Sequence, residues 1–210
     1  MKKEYLYSFK EFKTLFFNRI GLEELDEIKF KDLTRLMEAF SKSVSFNNFD
    51  VYQKKEQKWD RDYLIERILV DGRGGMCYQL HTVLYHLLKE SGMDISLCRG
   101  RCAVLGQLIN ATHVTLVLHH QGNQYYMEVS GGAFVPQQPL LLQNSRGDDQ
   151  YSVNKYGCKF RVYKCETAAA AEYGRQLSWC HAPRRWTFGH CRWFKTMLYP
   201  FQLSVLATPN

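Results

Sequence analysis

Near residue 92 the hydrophobic period of this chain changes, and that change limits the folds open to it more than any other feature. Before it, Leu33, Leu36, Met37 and Phe40 recur at helical spacing, as do Leu64, Ile65, Ile68 and Leu69, each set with charges on the opposite face. A third helix begins at Tyr78, continues through Leu80, Leu84, Leu87 and Leu88, and stops at Ser91-Gly92, where a left-handed glycine ends a helix. From about 95 to 142 the runs are short and β-rich: ISLCRGRCAVLG, HVTLVLHH and QYYMEVS, punctuated by Gly106, Gly122 and Gly131-Gly132. Beyond about 143 periodicity is poor, and Cys158, Cys165, Cys180, Cys191, Trp179, Trp186 and Trp193 cluster beside an alanine run. The expected fold class is therefore α+β. A helical bundle occupies 1–92, an antiparallel β-barrel or sheet 93–165, and a divergent or incomplete C-terminal segment 166–210.

Bulk properties exclude several function classes. Apolar residues make up 45% of the 210, and no uninterrupted run approaches the roughly 18 that a membrane span needs, so a soluble protein is expected. The opening MKKEYLYSFKEFKTLFF is broken by Glu4, Lys10, Glu11 and Lys13 and lacks a small-residue cleavage site, so it does not read as a secretory signal. Seven cysteines at irregular spacing favour free thiols in a reducing cytoplasm over a disulfide framework. The formal charge of +7 is a weak pointer to phosphate-bearing partners. No P-loop or GxGxxG fingerprint is present. CHAPRRWTFGHC, from Cys180 to Cys191, holds two Cys and two His at an unfamiliar ligand spacing, and no recognised nucleic-acid module surrounds it. Neither a metal nor a nucleic-acid partner is expected.

The segment GRGGMCYQLH places Cys77 just past a glycine turn, on the first turn of a helix. Peptide N–H groups at a helix start favour the thiolate, and Arg73 adds positive charge nearby, so Cys77 is a candidate nucleophile. The plain alternative is a small core hydrophobe. A nucleophilic thiol needs a base, and the base an orienting group. His113 opens the run HVTLVL and Glu128 lies in YYMEV. A hairpin centred between His120 and Gln121 sets the two face to face, whereas a turn on Gly122-Asn123 places Glu128 opposite Val117. Spacing permits the pairing without forcing it.

Taken together, Arg73-Gly74-Gly75-Met76-Cys77, THVTLVL with His113, and YYMEVSGG with Glu128 resemble the arylamine N-acetyltransferase family. FFNRIGLEE at 16–24 resembles that family's opening Arg-Ile-Gly, and SVSFNNFDV at 43–51 its Pro-Phe-Glu-Asn segment with a final Leu-Asp. The likeness runs from Phe16 to Leu142. It implies a cysteine-protease-like core, a reduced or divergent C-terminal α/β lid, and transfer of acetyl from acetyl-coenzyme A to an arylamine or arylhydrazine through an acetyl-cysteine. Cys77, His113 and Glu128 would be the triad, Gly132 would leave room for the pantetheine arm, and Thr112 would line the amine pocket.

The departures are specific. Gln79 and His81 stand where the family usually has glutamate and then asparagine, Glu128 where it has aspartate, and Ser130-Gly131-Gly132 where it has Gly-Phe-Gly. The last 45 residues match nothing in the family pattern. Two other readings stand beside the transferase: a thiol acyltransferase, amide synthase or transglutaminase-like enzyme using another acyl donor, and a catalytically impaired binding protein. Retention of Cys77, His113 and an acid at 128 argues against the last.

Overall fold

The computed structural model describes residues 5–53, 58–104, 107–130, 136–143, 151–156, 159–164 and 176–181. Helix α1 (Phe9–Ile20) is started by Ser8, whose hydroxyl accepts the Glu11 N–H while the Glu11 carboxylate accepts the Ser8 N–H. It ends at Gly21, whose φ of 69° is the left-handed conformation glycine adopts without a Cβ penalty. A 3-10 turn at Phe30–Asp32 leads into α2 (Leu33–Ser43), where the anticipated stripe of Leu33, Leu36, Met37 and Phe40 is buried. Phe40 stacks on Phe16 of α1, with centroids 5.4 Å apart. A short α3 (Phe49–Tyr52) follows.

The stripe at Leu64, Ile65, Ile68 and Leu69 is also buried, but its backbone is not a regular α-helix. Helix α4 (Arg61–Leu64) widens into a π-helical stretch over Ile65–Val70, and the Asp71 N–H reaches back five residues to the Glu66 carbonyl. Apolar spacing alone does not reveal this widening, because the same side chains face the core in either winding. Helix α5 (Cys77–Glu90) is buried along most of its length, and Gly92, at φ 88°, ends it as expected.

One antiparallel sheet follows: β1 (Asp94–Val104), β2 (Gln107–His120), β3 (Asn123–Met127), β4 (Leu140–Leu141), β5 (Tyr151–Tyr156), β6 (Lys159–Lys164) and β7 (Gln176–His181), in the order β4-β3-β2-β1-β7-β6-β5. Helices followed by an antiparallel sheet match the expected α+β class. Leu80, Leu84, Leu87 and Leu88 of α5 share a core with Ile95, Leu116, Leu118 and Met127, while Val117 and Tyr126 pack in a second cluster with Cys98, Leu142 and Val162. Apolar cover on both faces explains why HVTLVL is nearly continuously apolar rather than alternating. The β7 strand lies within the expected C-terminal segment and pairs with β1 and β6; residues 166–175 and 182–210 of that segment lie outside the described residues. No described helix is long and apolar enough to cross a membrane.

The turn before α5 explains why two glycines are needed there. The left-handed residue is Gly72, at φ 69°. Gly74 and Gly75 instead permit close approach: the Gly75 N–H donates to the Ser45 carbonyl at 3.1 Å, the Asn47 N–H donates to the Gly75 carbonyl at 3.0 Å, and residues 46 and 75 form a parallel bridge. A Cβ on Gly74 would sit 1.9 Å from the Ser45 carbonyl oxygen, whereas one on Gly72 meets nothing within 4 Å. Gly74→Ala should therefore cost about 3 kcal/mol or more by overpacking against backbone, and Gly72→Ala only about 1–2 kcal/mol of left-handed strain. Urea denaturation of the two variants checks the ranking, and equal losses would contradict it.

Candidate functional site

Three segments far apart in sequence hold the turn that precedes Cys77. Arg19, in α1, donates from Nε to the Ile68 carbonyl and from Nη2 to the Gly72 carbonyl, both at 3.0 Å. Arg67 pairs with buried Asp50 at 2.5 Å and points Nη2 at the Gly74 carbonyl, 3.4 Å away. Residues 45–47 supply the bridge to Gly75. The buried guanidinium at the turn thus belongs to Arg67, and Arg73 is exposed. Gln79 closes the helix start by accepting the Met76 N–H at 3.0 Å. Cys77 is the first residue of α5, as its sequence setting indicated, and is 6% exposed in a small cluster with Met76, Tyr78 and Val114.

His113 lies on β2 beside Val114. The β2–β3 hairpin turns on Gln121 (φ 49°) and Gly122 (φ 78°), two left-handed residues, and pairs His120 with Asn123 and Leu116 with Met127. That register falls midway between the two considered from sequence. Continued one residue past β3, it sets Glu128 across from Thr115 and diagonal to His113 on the same face. The glutamate spans the diagonal: Oε2 lies 2.5 Å from His113 Nε2. Thr115, directly opposite, turns its hydroxyl to the Met127 carbonyl at 2.7 Å.

Glu128 is fully buried, so its negative charge must be met by protein groups. Oε1 accepts the Ser130 N–H at 2.8 Å and the Ser130 hydroxyl at 2.6 Å, and lies 3.0 Å from His81 Nε2. Oε2 accepts the Tyr126 hydroxyl at 3.2 Å besides facing His113. Burial, the largest influence, pushes the carboxyl up, but the charges of His81 and His113 and their hydrogen bonds together hold it well below the usual carboxylate range.

Of the residues singled out from sequence, Cys77, His113 and Glu128 are brought to one region where α5 meets β2 and the end of β3. Thr112 is a β2 residue adjoining His113; its side chain lies outside the described residues, as does Gly132 entirely. The Cys180–Cys191 stretch falls beyond the described residues after His181, and among those described no group of three or more His, Cys, Asp or Glu is arranged to hold a metal. Sequence reasoning missed the contacts of His81, Ser130 and Tyr126 with Glu128. The i, i+4 spacing of Cys77 and His81 on α5 and the i, i+2 spacing of Glu128 and Ser130 were the signals available for two of them.

Residues 29–207 match the family model described as N-acetyltransferase, so the match takes in most of the last 45 residues, which by sequence were expected to match nothing in the family. The chain is 26% identical over 171 residues to a probable arylamine N-acetyltransferase 3 of Dictyostelium discoideum, covering 79% of this chain and 54% of that protein. It is 30% identical over 154 residues to the uncharacterized acetyltransferase YvcN of Bacillus subtilis, covering 72% and 58%. The chain spans about half the length of the curated relatives it matches. Among solved structures, the NAT3 arylamine N-acetyltransferase of Bacillus cereus superposes with a TM-score of 0.72 at 26% identity, covering 82% of this chain and 70% of that one; it is described as having a unique Cys-His-Glu catalytic triad. The Salmonella typhimurium enzyme superposes with a TM-score of 0.74 at 22% identity, covering 83% and 65%, and so shares the fold. A match over most of its length, on a fold shared with these enzymes, shows that the chain belongs to the arylamine N-acetyltransferase family.

Proposed function

We propose that this protein transfers acetyl from acetyl-coenzyme A to an arylamine or arylhydrazine through an acetyl-cysteine on Cys77, with His113 as base and Glu128 as orienting acid. The observation that carries the proposal is the buried Glu128 carboxylate, 2.5 Å from His113 Nε2 and surrounded by donors. A carboxylate held this way fixes the imidazole's orientation and stabilises its protonated form. With Nε2 committed to Glu128, the ring works on the thiol through Nδ1.

In the first half-reaction the Cys77 thiol gives its proton to His113, and Sγ attacks the thioester carbonyl carbon. Backbone N–H groups at the start of α5 stabilise the oxyanion. Collapse expels the coenzyme A thiolate, which takes the proton from His113. In the second half the amine nitrogen attacks the acetyl carbon, loses a proton to His113, and leaves an amide; the proton returns to Cys77 Sγ. Gly132 gives room for the pantetheine arm and Thr112 lines the amine pocket. The sheet is the family's β-barrel in this reading. Such an enzyme acts in the cytoplasm on foreign aromatic amines.

Steady-state rates with acetyl-coenzyme A and a panel of arylamines and arylhydrazines test the proposal, and two-step exchange should give parallel double-reciprocal lines. Glu128→Gln keeps the shape but removes the charge, and should lower kcat/KM at least about a hundredfold, since a mis-oriented base forfeits most of its acid–base contribution. A near-normal rate would contradict the role of Glu128.

The same carboxylate makes stability depend on pH. Its folded pKa is depressed, so its contribution is complete above the ordinary carboxylate value of about 4.3 and is lost as pH falls toward the lower folded value. The stability gap between wild type and Glu128→Gln, measured by urea denaturation, should therefore be larger at pH 6 than at pH 3. An equal gap at both would contradict it.

A further inference from the structure

His81 is a second histidine on the same carboxylate, and the triad chemistry gives it nothing to do. It is fully buried, one helical turn after Cys77 on α5, with its ring edge-on to that of His113, centroids 5.7 Å apart. Its Nδ1 lies 2.7 Å from the Cys77 carbonyl oxygen. A carbonyl only accepts, so Nδ1 carries a proton. The other nitrogen, Nε2, is 3.0 Å from Glu128 Oε1 and 3.2 Å from the Val129 N–H. If Nε2 held only a lone pair, it would face a carboxylate oxygen at contact distance with no hydrogen between them, a repulsive arrangement in a dry interior. Oε1 already accepts two bonds from Ser130. Nε2 carries either a lone pair for the Val129 N–H or a proton for Oε1, and the nearer, charged carboxylate favours the proton.

We infer that His81 is a positioning residue: by donating to Glu128 Oε1 it locks the glutamate in the rotamer that reaches diagonally across the hairpin to His113. The need follows from the longer acid. A glutamate has one more rotatable bond than an aspartate, and a buried carboxylate is stable only when its oxygens are fully engaged. Tyr126 and His113 hold Oε2, while Ser130, only two residues along the same loop, ties Oε1 locally. His81 ties Oε1 to α5, the helix that bears Cys77. A competing effect runs the other way, since a proton shared with His81 neutralises part of the charge that Glu128 offers His113. Which effect dominates is decided by experiment.

The inference rests on Cys77, His113 and Glu128 acting as a set, so the test reads that set without any acyl donor. The rate of Cys77 alkylation by iodoacetamide is followed from pH 5 to 9 on the full chain, with thermal melting as a check of folding. Glu128→Gln is the control. His81→Leu should slow alkylation at pH 7 at least tenfold and move its profile toward higher pH, and His81→Gln, which keeps an N–H donor, should recover at least a third of the wild-type rate. Should His81→Leu not fold, His81→Phe, a ring of similar size with no N–H donor, replaces it with the same expectation. If Glu128→Gln slows alkylation while the donor-lacking His81 variant matches or exceeds the wild type, charge neutralisation dominates and the positioning role is overturned. It is overturned equally if His81→Gln is as slow as the variant lacking the donor. If Glu128→Gln leaves alkylation unchanged, the triad assignment itself fails, and the role of His81 falls with it.

Discussion

Everything at the site depends on the close backbone contact between residues 45–47 and the turn at 72–76. Gly74 is the residue that permits it, because any Cβ there would collide with the Ser45 carbonyl. The contact fixes where α5 starts and therefore where Cys77 sits. Two buried or half-buried arginines reinforce it from other parts of the chain, Arg19 on the Gly72 carbonyl and Arg67 on the Gly74 carbonyl. Both accept the cost of desolvating a guanidinium, which is tolerable only because carbonyls, or in the case of Arg67 the Asp50 carboxylate, lie at hydrogen-bonding distance. The sequence segments that resemble the family most, around Arg19, Ser45–Asp50 and Arg73–Cys77, are thus the three walls of one turn.

The second constraint is a buried negative charge. Glu128 is held by groups of the hairpin and of its own loop and lies 3.0 Å from His81 of α5, so the helix with the thiol and the strand with His113 meet at one carboxylate. A glutamate suits this geometry because the hairpin register places position 128 diagonal to His113 rather than across from it, and the added methylene helps cover that distance. The Gln121-Gly122 turn sets that register, since both of its residues adopt left-handed φ values.

Much of this was legible in the sequence. The stripes at Leu33–Phe40 and Leu80–Leu88, the stop at Gly92 and the position of Cys77 on a helix start all follow from helical spacing and glycine conformation. The π-helical winding at 65–70 was not legible, because Leu64, Ile65, Ile68 and Leu69 face the core in either winding. Nor was the hairpin register, because turns centred at 120–121, 121–122 and 122–123 are all compatible with the spacing of the flanking strands. The glycine turn is readable in the sequence but not what each glycine does in it: Gly72 is the left-handed residue, and Gly74 is needed because of its proximity to Ser45. His81 was visible only as a departure from the family pattern. Its meaning required knowing that Glu128 lies one hydrogen bond away.

The central claim is that Cys77 carries the acetyl group, and intact-protein mass spectrometry after incubation with acetyl-coenzyme A alone tests it most directly. The wild type should gain a single acetyl group, mapped to Cys77 by peptide analysis, absent from Cys77→Ser and discharged by an added arylamine. A folded wild-type protein that gains no acetyl group, or gains it at another residue, would contradict the account.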